Sequence, residues 1–267
     1  MIKKIYSKMS GKGASKVLFP ENEKLRSLFG SREKGYILGT SSSILKFDLT
    51  ALESDALKIT VGNFYEHPDI EKINPTIHVF ASSHAPITST VLSNWWNRCD
   101  KVLPAGIPVL VADKDRGVAQ ESFQKRDVYF YSYGGSFPID FTRMVISPWS
   151  VSVLVVQLAL YLKTRNTYLL GVDHDWRHII PYQHFYSHEE PSLEYYLYQE
   201  GLIKSLTPPD KVHTPPKSSL YKFYDLYQQH EELRAYAESE GLNVYNGDVS
   251  SIFDVYDRKD YSQIAKE

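Results

Sequence analysis

The segment from residue 150 to residue 173 constrains the fold of this chain more than any other part. Ser150 to Lys163 is apolar nearly all round and follows Pro148, a pattern that predicts a buried core helix. Tyr168 to Val172 is a short apolar run that predicts a buried strand and leads into Asp173. A buried helix followed directly by a buried strand is typical of the crossover connections in parallel sheets.

Other short apolar runs predict the rest of the sheet. The strand candidates are residues 36–39, 59–61, 77–81, 109–111, 128–131 and 242–245, and residues 222–240 form a polar helix that Gly241 ends. Together they predict an α/β fold with a Rossmann-like, mostly parallel sheet flanked by helices. We expect an N-terminal extension over 1–34, the main domain over 35–256 with a small lid insertion at about 176–220, and a C-terminal tail over 257–267.

Composition excludes several classes of protein. A formal charge of −2 and a pI near 6.5 give no overall basic field, so a nucleic-acid partner is not expected. Cys99 is the single cysteine, which rules out an intrachain disulfide and a multi-cysteine zinc site. The N-terminus lacks a signal-peptide pattern, and Val151 to Leu162 is shorter than the roughly 20 apolar residues that span a bilayer. These features indicate a cytoplasmic protein.

The stretch after Asp173 is dense in histidine and aromatic residues, which suits a reaction site at a strand's carboxyl end. Its histidines are His174, His178, His184 and His188. Neither H-E-x-x-H nor another known zinc spacing occurs, so no metal is expected. A histidine that serves as a general base is the better interpretation, because its ordinary pKa lies near neutrality, although a purely structural role remains open for each one.

Small polar residues follow the first three predicted strands. The first strand ends in Gly39 and is followed by Thr40, Ser41, Ser42 and Ser43, the second is followed by Asn63, and the third by Ser82 and Ser83. The hydroxyl-rich first turn can bind phosphate, but it matches neither G-x-G-x-x-G nor a P-loop. Both this turn and Asn63 can equally be local capping structures.

Taken in order, these pieces resemble the bacterial sialyltransferases of glycosyltransferase family 42. They also resemble the related domains typified by an archaeal pterin pyrophosphokinase and by flagellin-modifying transferases. The matching blocks are Ile37 to Leu45, Gly62-Asn63-Phe64-Tyr65, Gly171-Val172-Asp173, Phe185-Tyr186-Ser187-His188, and Val244 to Asn246 with Ser250-Ser251.

The resemblance implies a CMP-sugar donor bound across the strand ends, with catalysis that uses neither a metal nor another cofactor. It assigns nucleotide contacts to Gly39, Thr40, Ser41, Ser42, Ser43, Asn63, Ser150 and Asp173, with Ser82 or Ser83 in place of a second asparagine. Tyr182 or Tyr186 would bind the phosphate. His188 would be the catalytic base, with His184 as a rival because the family's histidine precedes its serine whereas His188 follows Ser187.

The leading hypothesis is therefore a glycosyltransferase that moves sialic acid or a related ulosonic acid from a CMP-sugar to a glycan or glycolipid acceptor. The expected setting is bacterial lipopolysaccharide or capsule biosynthesis, in the cytoplasm or at the inner face of the membrane. Peripheral membrane association and homo-oligomer formation are both compatible with the sequence. One alternative is an ATP- and Mg²⁺-dependent pyrophosphokinase, with Asp173 and Asp175 as metal ligands. Another is a non-catalytic glycan-binding or scaffold protein.

Overall fold

The structure, a computed structural model, describes residues 16–174, 184–187, 192–204 and 217–264. Nine strands of these residues form one sheet: β1 Lys34–Leu38, β2 Leu57–Val61, β3 Ile77–Val79, β4 Val109–Ala112, β5 Val128–Tyr133, β6 Met144–Val145, β7 Asn166–Leu170, β8 Asn243–Asn246 and β9 Asp257–Arg258. Every neighbouring pair is parallel. The predicted α/β fold is thus confirmed.

The described part of the chain also contains eight α-helices: α1 Glu23–Phe29, α2 Ile70–Ile73, α3 Ser89–Val102, α4 Arg116–Ser122, α5 Val151–Tyr161, α6 Leu193–Gln199, α7 Lys217–Ser239 and α8 Tyr261–Ile264. Short 3₁₀ turns follow β1 at Ser42–Lys46 and β2 at Gly62–Glu66. None of the helices described is both long and apolar enough to cross a membrane.

The order of strands in the sheet is β6-β5-β4-β3-β2-β1-β7-β8-β9. From β1 the chain builds outward to β6 on one side, returns through α5, and builds outward again from β7 on the other side. The order therefore reverses between β1 and β7, whose pairing runs from Lys34↔Asn166 to Leu38↔Leu170. In open parallel sheets, ligands bind beyond the carboxyl ends of the strands at such a reversal.

The apolar core lies on both faces of the sheet. Every residue of α5 except Val151 is buried, which explains why the sequence of this helix has no polar face. Side chains alternate along a strand, so Ile37 and Leu169 belong to the cluster that contains α5, while Tyr36 and Tyr168 belong to the opposite cluster. The two central strands are thus covered on both faces, as parallel strands require.

The segment before β1 also contributes to the interior. Phe19 and Leu25 are buried, and the fully buried amide of Asn22 donates from Nδ2 to the carbonyls of Phe130 (2.8 Å) and Phe141 (2.7 Å). At the other end of the chain, Ile264 of α8 is buried in the second cluster. Residues on either side of the predicted main domain therefore pack against it.

Candidate functional site

A cleft of about 140 Å³ lies at the carboxyl ends of β1 and β7. It is lined by the residues that follow these two strands, the first turn of α5 and nearby apolar side chains: Ile37, Gly39, Thr40, Ser41, Val61, Ser150, Val151, Ser152, Val155, Gly171, Val172, Asp173 and His174. Five of the predicted nucleotide-binding residues are in this list, namely Gly39, Thr40, Ser41, Ser150 and Asp173. The fold thus brings together segments that are far apart in the sequence.

Two glycines let the ends of β1 and β7 approach closely. A Cβ atom on Gly39 would lie 2.2 Å from the carbonyl oxygen of Gly171, which is closer than real Cβ contacts allow. Gly171 has a φ of +65°, a backbone conformation that favours glycine. The approach is held by hydrogen bonds from the Gly39 amide to the Leu170 carbonyl (2.8 Å) and from the Ser41 amide to the Gly171 carbonyl (3.1 Å).

The N-terminus of α5 forms one wall of the cleft. Ser150 is the N-cap, and its hydroxyl accepts a hydrogen bond from the Ser152 amide (3.1 Å). Pro148 just before it is consistent with a helix start. Backbone N–H groups at a helix N-terminus, together with the helix dipole, favour an anionic ligand. This wall can therefore bind a phosphate or carboxylate group.

A chain of buried polar groups begins at the same wall. The Ser152 hydroxyl lies 2.9 Å from Nε2 of His174 and 3.0 Å from Nε2 of His230, and it also contacts the Ser150 hydroxyl. Behind it, Nδ1 of His230 lies 2.9 Å from the hydroxyl of Tyr256. His174 is the member of this chain that follows β7, and its backbone adopts a φ of +51°. Such a conformation is uncommon outside glycine, and strained residues cluster at functional sites.

The two histidines of this hydrogen-bonded series, His174 and His230, are uncharged at neutral pH. Burial lowers the pKa of His174 to about 4, because the charged imidazolium would lose its solvation. Burial likewise holds the pKa of His230 well below its ordinary value, and the neighbouring His174 lowers it further. A neutral imidazole has one donor and one acceptor nitrogen, so each ring can both give and receive a hydrogen bond.

His184 lies against the turn that follows β1. Residues 41 and 184 form an antiparallel bridge, the Phe185 amide donates to the Thr40 carbonyl (3.1 Å), and Nδ1 of His184 is 3.2 Å from the same oxygen. Because a carbonyl only accepts, Nδ1 is the donor, and a neutral ring then has its lone pair on Nε2. Tyr186 stacks on His184 with ring centroids 4.8 Å apart. His184, the rival candidate for the base, and Tyr186, one of the two candidate phosphate ligands, thus lie together beside the first turn.

Other predicted nucleotide ligands lie away from the lining of this cleft. The buried Asn63 accepts a hydrogen bond on Oδ1 from the indole of Trp95 (2.5 Å), and Ser43 is buried in the 3₁₀ turn that also contains Ser42. Among the described residues, no partner hydrogen-bonds the Asn63 amide nitrogen or the Ser43 hydroxyl. Their nucleotide roles stay predictions.

The serines that follow β3 make local contacts. Ser83 donates to Asp115 through its amide (3.0 Å) and its hydroxyl (2.5 Å), and the Ser82 amide donates to the hydroxyl of Tyr133 (3.3 Å). These bonds connect the end of β3 with the neighbouring segments after β4 and in β5. The predicted role of either serine in place of an asparagine stays a prediction.

Two predicted site residues, Tyr182 and His188, lie outside the described residues, as does Asp175 of the pyrophosphokinase alternative. Within the described ranges, no group of three or more His, Cys, Asp or Glu side chains is placed to hold a metal ion.

The sequence does not predict the buried part of the site. It places Ser152 in the core helix without a further role, and it indicates no role for His230 or Tyr256. His230 does carry a signal: it lies four residues after Leu226 and three before Leu233, on the buried face of α7. A histidine on an apolar helix face requires a polar partner, which the structure supplies as Ser152 and Tyr256.

Comparison with known proteins gave matches among solved structures only, since no family model and no curated protein matches this chain. The sialyltransferase CstII from Campylobacter jejuni in complex with CMP-3FNeuAc is 11% identical, with 84% of this chain and 85% of that chain covered and a TM-score of 0.49. The monofunctional alpha-2,3-sialyltransferase Cst-I from Campylobacter jejuni is 12% identical, with coverage of 85% and 79% and a TM-score of 0.49. Both of these similar structures are sialyltransferases.

Proposed function

We propose that this protein is a metal-independent glycosyltransferase that moves an acidic sugar, sialic acid or a related ulosonic acid, from a CMP-sugar to a glycan acceptor. The observation that carries the proposal is the convergence of the first turn, the N-terminus of α5 and the end of β7 on one cleft. The acceptor would be a bacterial surface glycan such as lipopolysaccharide or capsule.

The chemistry of the cleft suits a nucleotide whose phosphate leaves during the reaction. Thr40 and the N-terminus of α5 both line the cleft, so a hydroxyl and backbone N–H groups belong to the lining of one site. Such donors stabilise the charge that grows on a departing CMP. In the proposed role Ser150 orients the helix N-terminus, and Tyr186 adds a phenol to the phosphate ligands.

Transfer also requires a group that removes the acceptor's proton. The acceptor oxygen attacks the anomeric carbon, the bond from that carbon to the phosphate oxygen breaks, and CMP leaves with the electron pair. Among the described residues, His184 is the candidate base, because its Nδ1 donates to the Thr40 carbonyl and the lone pair of a neutral ring is then on Nε2. His188 is the other candidate base.

The helix N-terminus can be tested with two matched N-cap variants. Ser150→Ala and Thr88→Ala each remove a hydroxyl that accepts a first-turn N–H, in α5 and α3 respectively, so each should cost about 1 kcal/mol of stability. Only the Ser150 variant should also weaken CMP binding, by about threefold to tenfold in calorimetry, because Thr88 does not line the cleft. Equal CMP affinity in the two variants would contradict the assignment of the phosphate to α5.

Catalysis is tested by transfer from CMP-N-acetylneuraminate to lactose, with and without EDTA. Loss of a general base lowers turnover by about a hundredfold or more, which we expect for His184→Ala or His188→Ala. Transfer that EDTA abolishes would refute metal independence. Binding of ATP with Mg²⁺ in preference to CMP would refute the proposal in favour of the pyrophosphokinase.

A further inference from the structure

The hydrogen bonds around Ser152 restrict where its proton can lie. A hydroxyl donates one hydrogen bond and accepts two, and Ser152 has three side-chain partners: Ser150, His174 and His230. Only one of these partners can receive the proton, and the other two must donate. The arrangement therefore has three possible forms, one for each recipient.

The contacts of Tyr256 favour one form. Its hydroxyl lies 2.9 Å from Nδ1 of His230 and 3.3 Å from the His230 carbonyl. Both contacts are hydrogen bonds only if Tyr256 donates to the carbonyl and Nδ1 of His230 donates to Tyr256. Nε2 of His230 is then the acceptor, so it receives the proton of Ser152, and His174 must donate from Nε2. The form with Ser150 as recipient also makes His174 an Nε2–H donor.

These bonds leave Nδ1 of His174 as an unprotonated nitrogen. The ring lines the cleft, and no side chain or backbone group of the described residues hydrogen-bonds Nδ1. Phe253 and His230 pack against the ring with centroids 4.8 Å and 5.5 Å away, which fixes its orientation. An oriented ring with one free acceptor nitrogen is suited to bind a donor group of a ligand.

We infer that His174 accepts a hydrogen bond on Nδ1 from a sugar hydroxyl of the bound substrate, and that Ser152, His230 and Tyr256 are positioning residues that hold the ring in the required tautomer. The hydroxyl belongs either to the nucleotide's ribose or to the glycan acceptor, and this part of the inference rests on the proposed function. The low pKa of His174 is consistent with the role, because the ring stays neutral and keeps its lone pair at physiological pH.

The tautomer can be tested without any substrate, by long-range ¹H–¹⁵N spectra of protein labelled at histidine. We expect His174 as the Nε2–H form in the wild type. Tyr256→Phe removes the partner of Nδ1 of His230, which lets that ring become an Nε2–H donor to Ser152 and shifts His174 partly to the Nδ1–H form. Tyr161→Phe is the matched control, since it removes another buried hydroxyl-to-carbonyl bond at the far end of α5. A wild-type His174 in the Nδ1–H form would overturn the inference.

Two substitutions of His174 separate its two nitrogens. His174→Asn keeps an acceptor near the position of Nδ1 and tolerates positive φ, whereas His174→Gln keeps a donor near the position of Nε2, within reach of Ser152. A purely structural role through Ser152 predicts that the glutamine variant keeps more of the wild-type substrate binding. The inference predicts that the asparagine variant keeps more of it.

Two measurements distinguish the two sources of the hydroxyl. One is the binding of CMP, 2′-deoxy-CMP and 3′-deoxy-CMP, and the other is the KM for lactose. A ribose contact predicts that one deoxy analogue binds about three to ten times more weakly, with the difference kept in His174→Asn and lost in His174→Gln. An acceptor contact predicts equal binding of the three nucleotides and a raised KM for lactose in His174→Gln alone.

Failure of the inference and failure of the proposed function give different results. If CMP binds the wild type but neither probe distinguishes the two variants, the hydroxyl contact is refuted and the transferase proposal stands. If CMP does not bind, the proposed function fails. In that case the inference is tested by titrating lactose while the ¹⁵N resonance of Nδ1 of His174 is followed. A shift of this resonance supports the inference, and no shift refutes it.

Discussion

The close approach of β1 and β7 at Gly39 predicts a large effect for Gly39→Ala. The new Cβ would lie 2.2 Å from the Gly171 oxygen and 2.8 Å from Cγ2 of Val172, so the two strand ends must separate. Separation stretches the bonds from the Gly39 amide to Leu170 and from the Ser41 amide to Gly171. Overpacking costs about 1–3 kcal/mol, and each weakened hydrogen bond adds up to about 1 kcal/mol. We therefore expect a loss of about 3 kcal/mol.

Thermal unfolding followed by circular dichroism measures this effect. For a chain of this size, a loss of about 3 kcal/mol lowers Tm by roughly 6–12 °C. Gly117→Ala is the matched control, because Gly117 lies in α4 with open space around its Cβ position, and alanine there should raise stability by about 0.5–1 kcal/mol. A Gly39→Ala protein that unfolds within about 2 °C of the wild type would refute the close approach of the ends of β1 and β7.

Two further predictions concern stability. The side chain of Arg126 is fully buried, pairs with Asp100 at 2.8 Å and donates to the carbonyls of Asp100, Leu103, Pro104 and Ile107. Arg126→Met should lower the free energy of unfolding, measured in urea, by about 3–5 kcal/mol. Arg98→Met is the control, because it breaks a more exposed pair with Glu66 and should cost about 1 kcal/mol or less. Equal losses in the two variants would contradict this account. Burial lowers the pKa values of His78 (to about 3), His174 (to about 4) and His230, so the unfolded chain binds more protons than the folded one below the ordinary histidine pKa. The free energy of unfolding should be fully retained above about pH 6.5 and should fall between about pH 6.5 and 4, by up to about 1.4 kcal/mol per pH unit for each histidine; a urea midpoint unchanged between pH 7 and pH 5 would rule this out.

The central part of the fold could be predicted because its local patterns are strong. The helix and strand from Ser150 to Val172 have long apolar runs and clear boundaries, and the structure has α5 and β7 there. Strands β6 and β9 have only two residues each, too few to form a pattern. Helix α3 was not predicted, although Thr88 caps its start, because buried Trp95, Trp96 and Cys99 are interspersed with polar residues.

The site residues that could be predicted are those whose position depends only on the neighbouring sequence. Gly39, Thr40 and Ser41 follow a strand directly, so their position at its carboxyl end could be inferred from the sequence, and that end lines the cleft. The partners of Asn63 and of Ser152 come from other elements, Trp95 of α3 and His230 of α7. Only tertiary packing shows that these polar groups meet, because nothing in the sequence near either residue specifies its partner.

The reversal of strand order between β1 and β7 also determines when the cleft can form during folding. Gly35 pairs with Thr167, so the two central strands are joined by contacts between distant parts of the chain. Closing such a long loop is entropically costly, and sheets that depend on non-local parallel pairing fold slowly. The strands from β1 to β6 can be synthesised before β7, but the cleft cannot form until β7 is present, because it lies between the ends of β1 and β7. The cleft therefore forms only when β1 and β7 pair, so a formed cleft shows that the two halves of the sheet have joined.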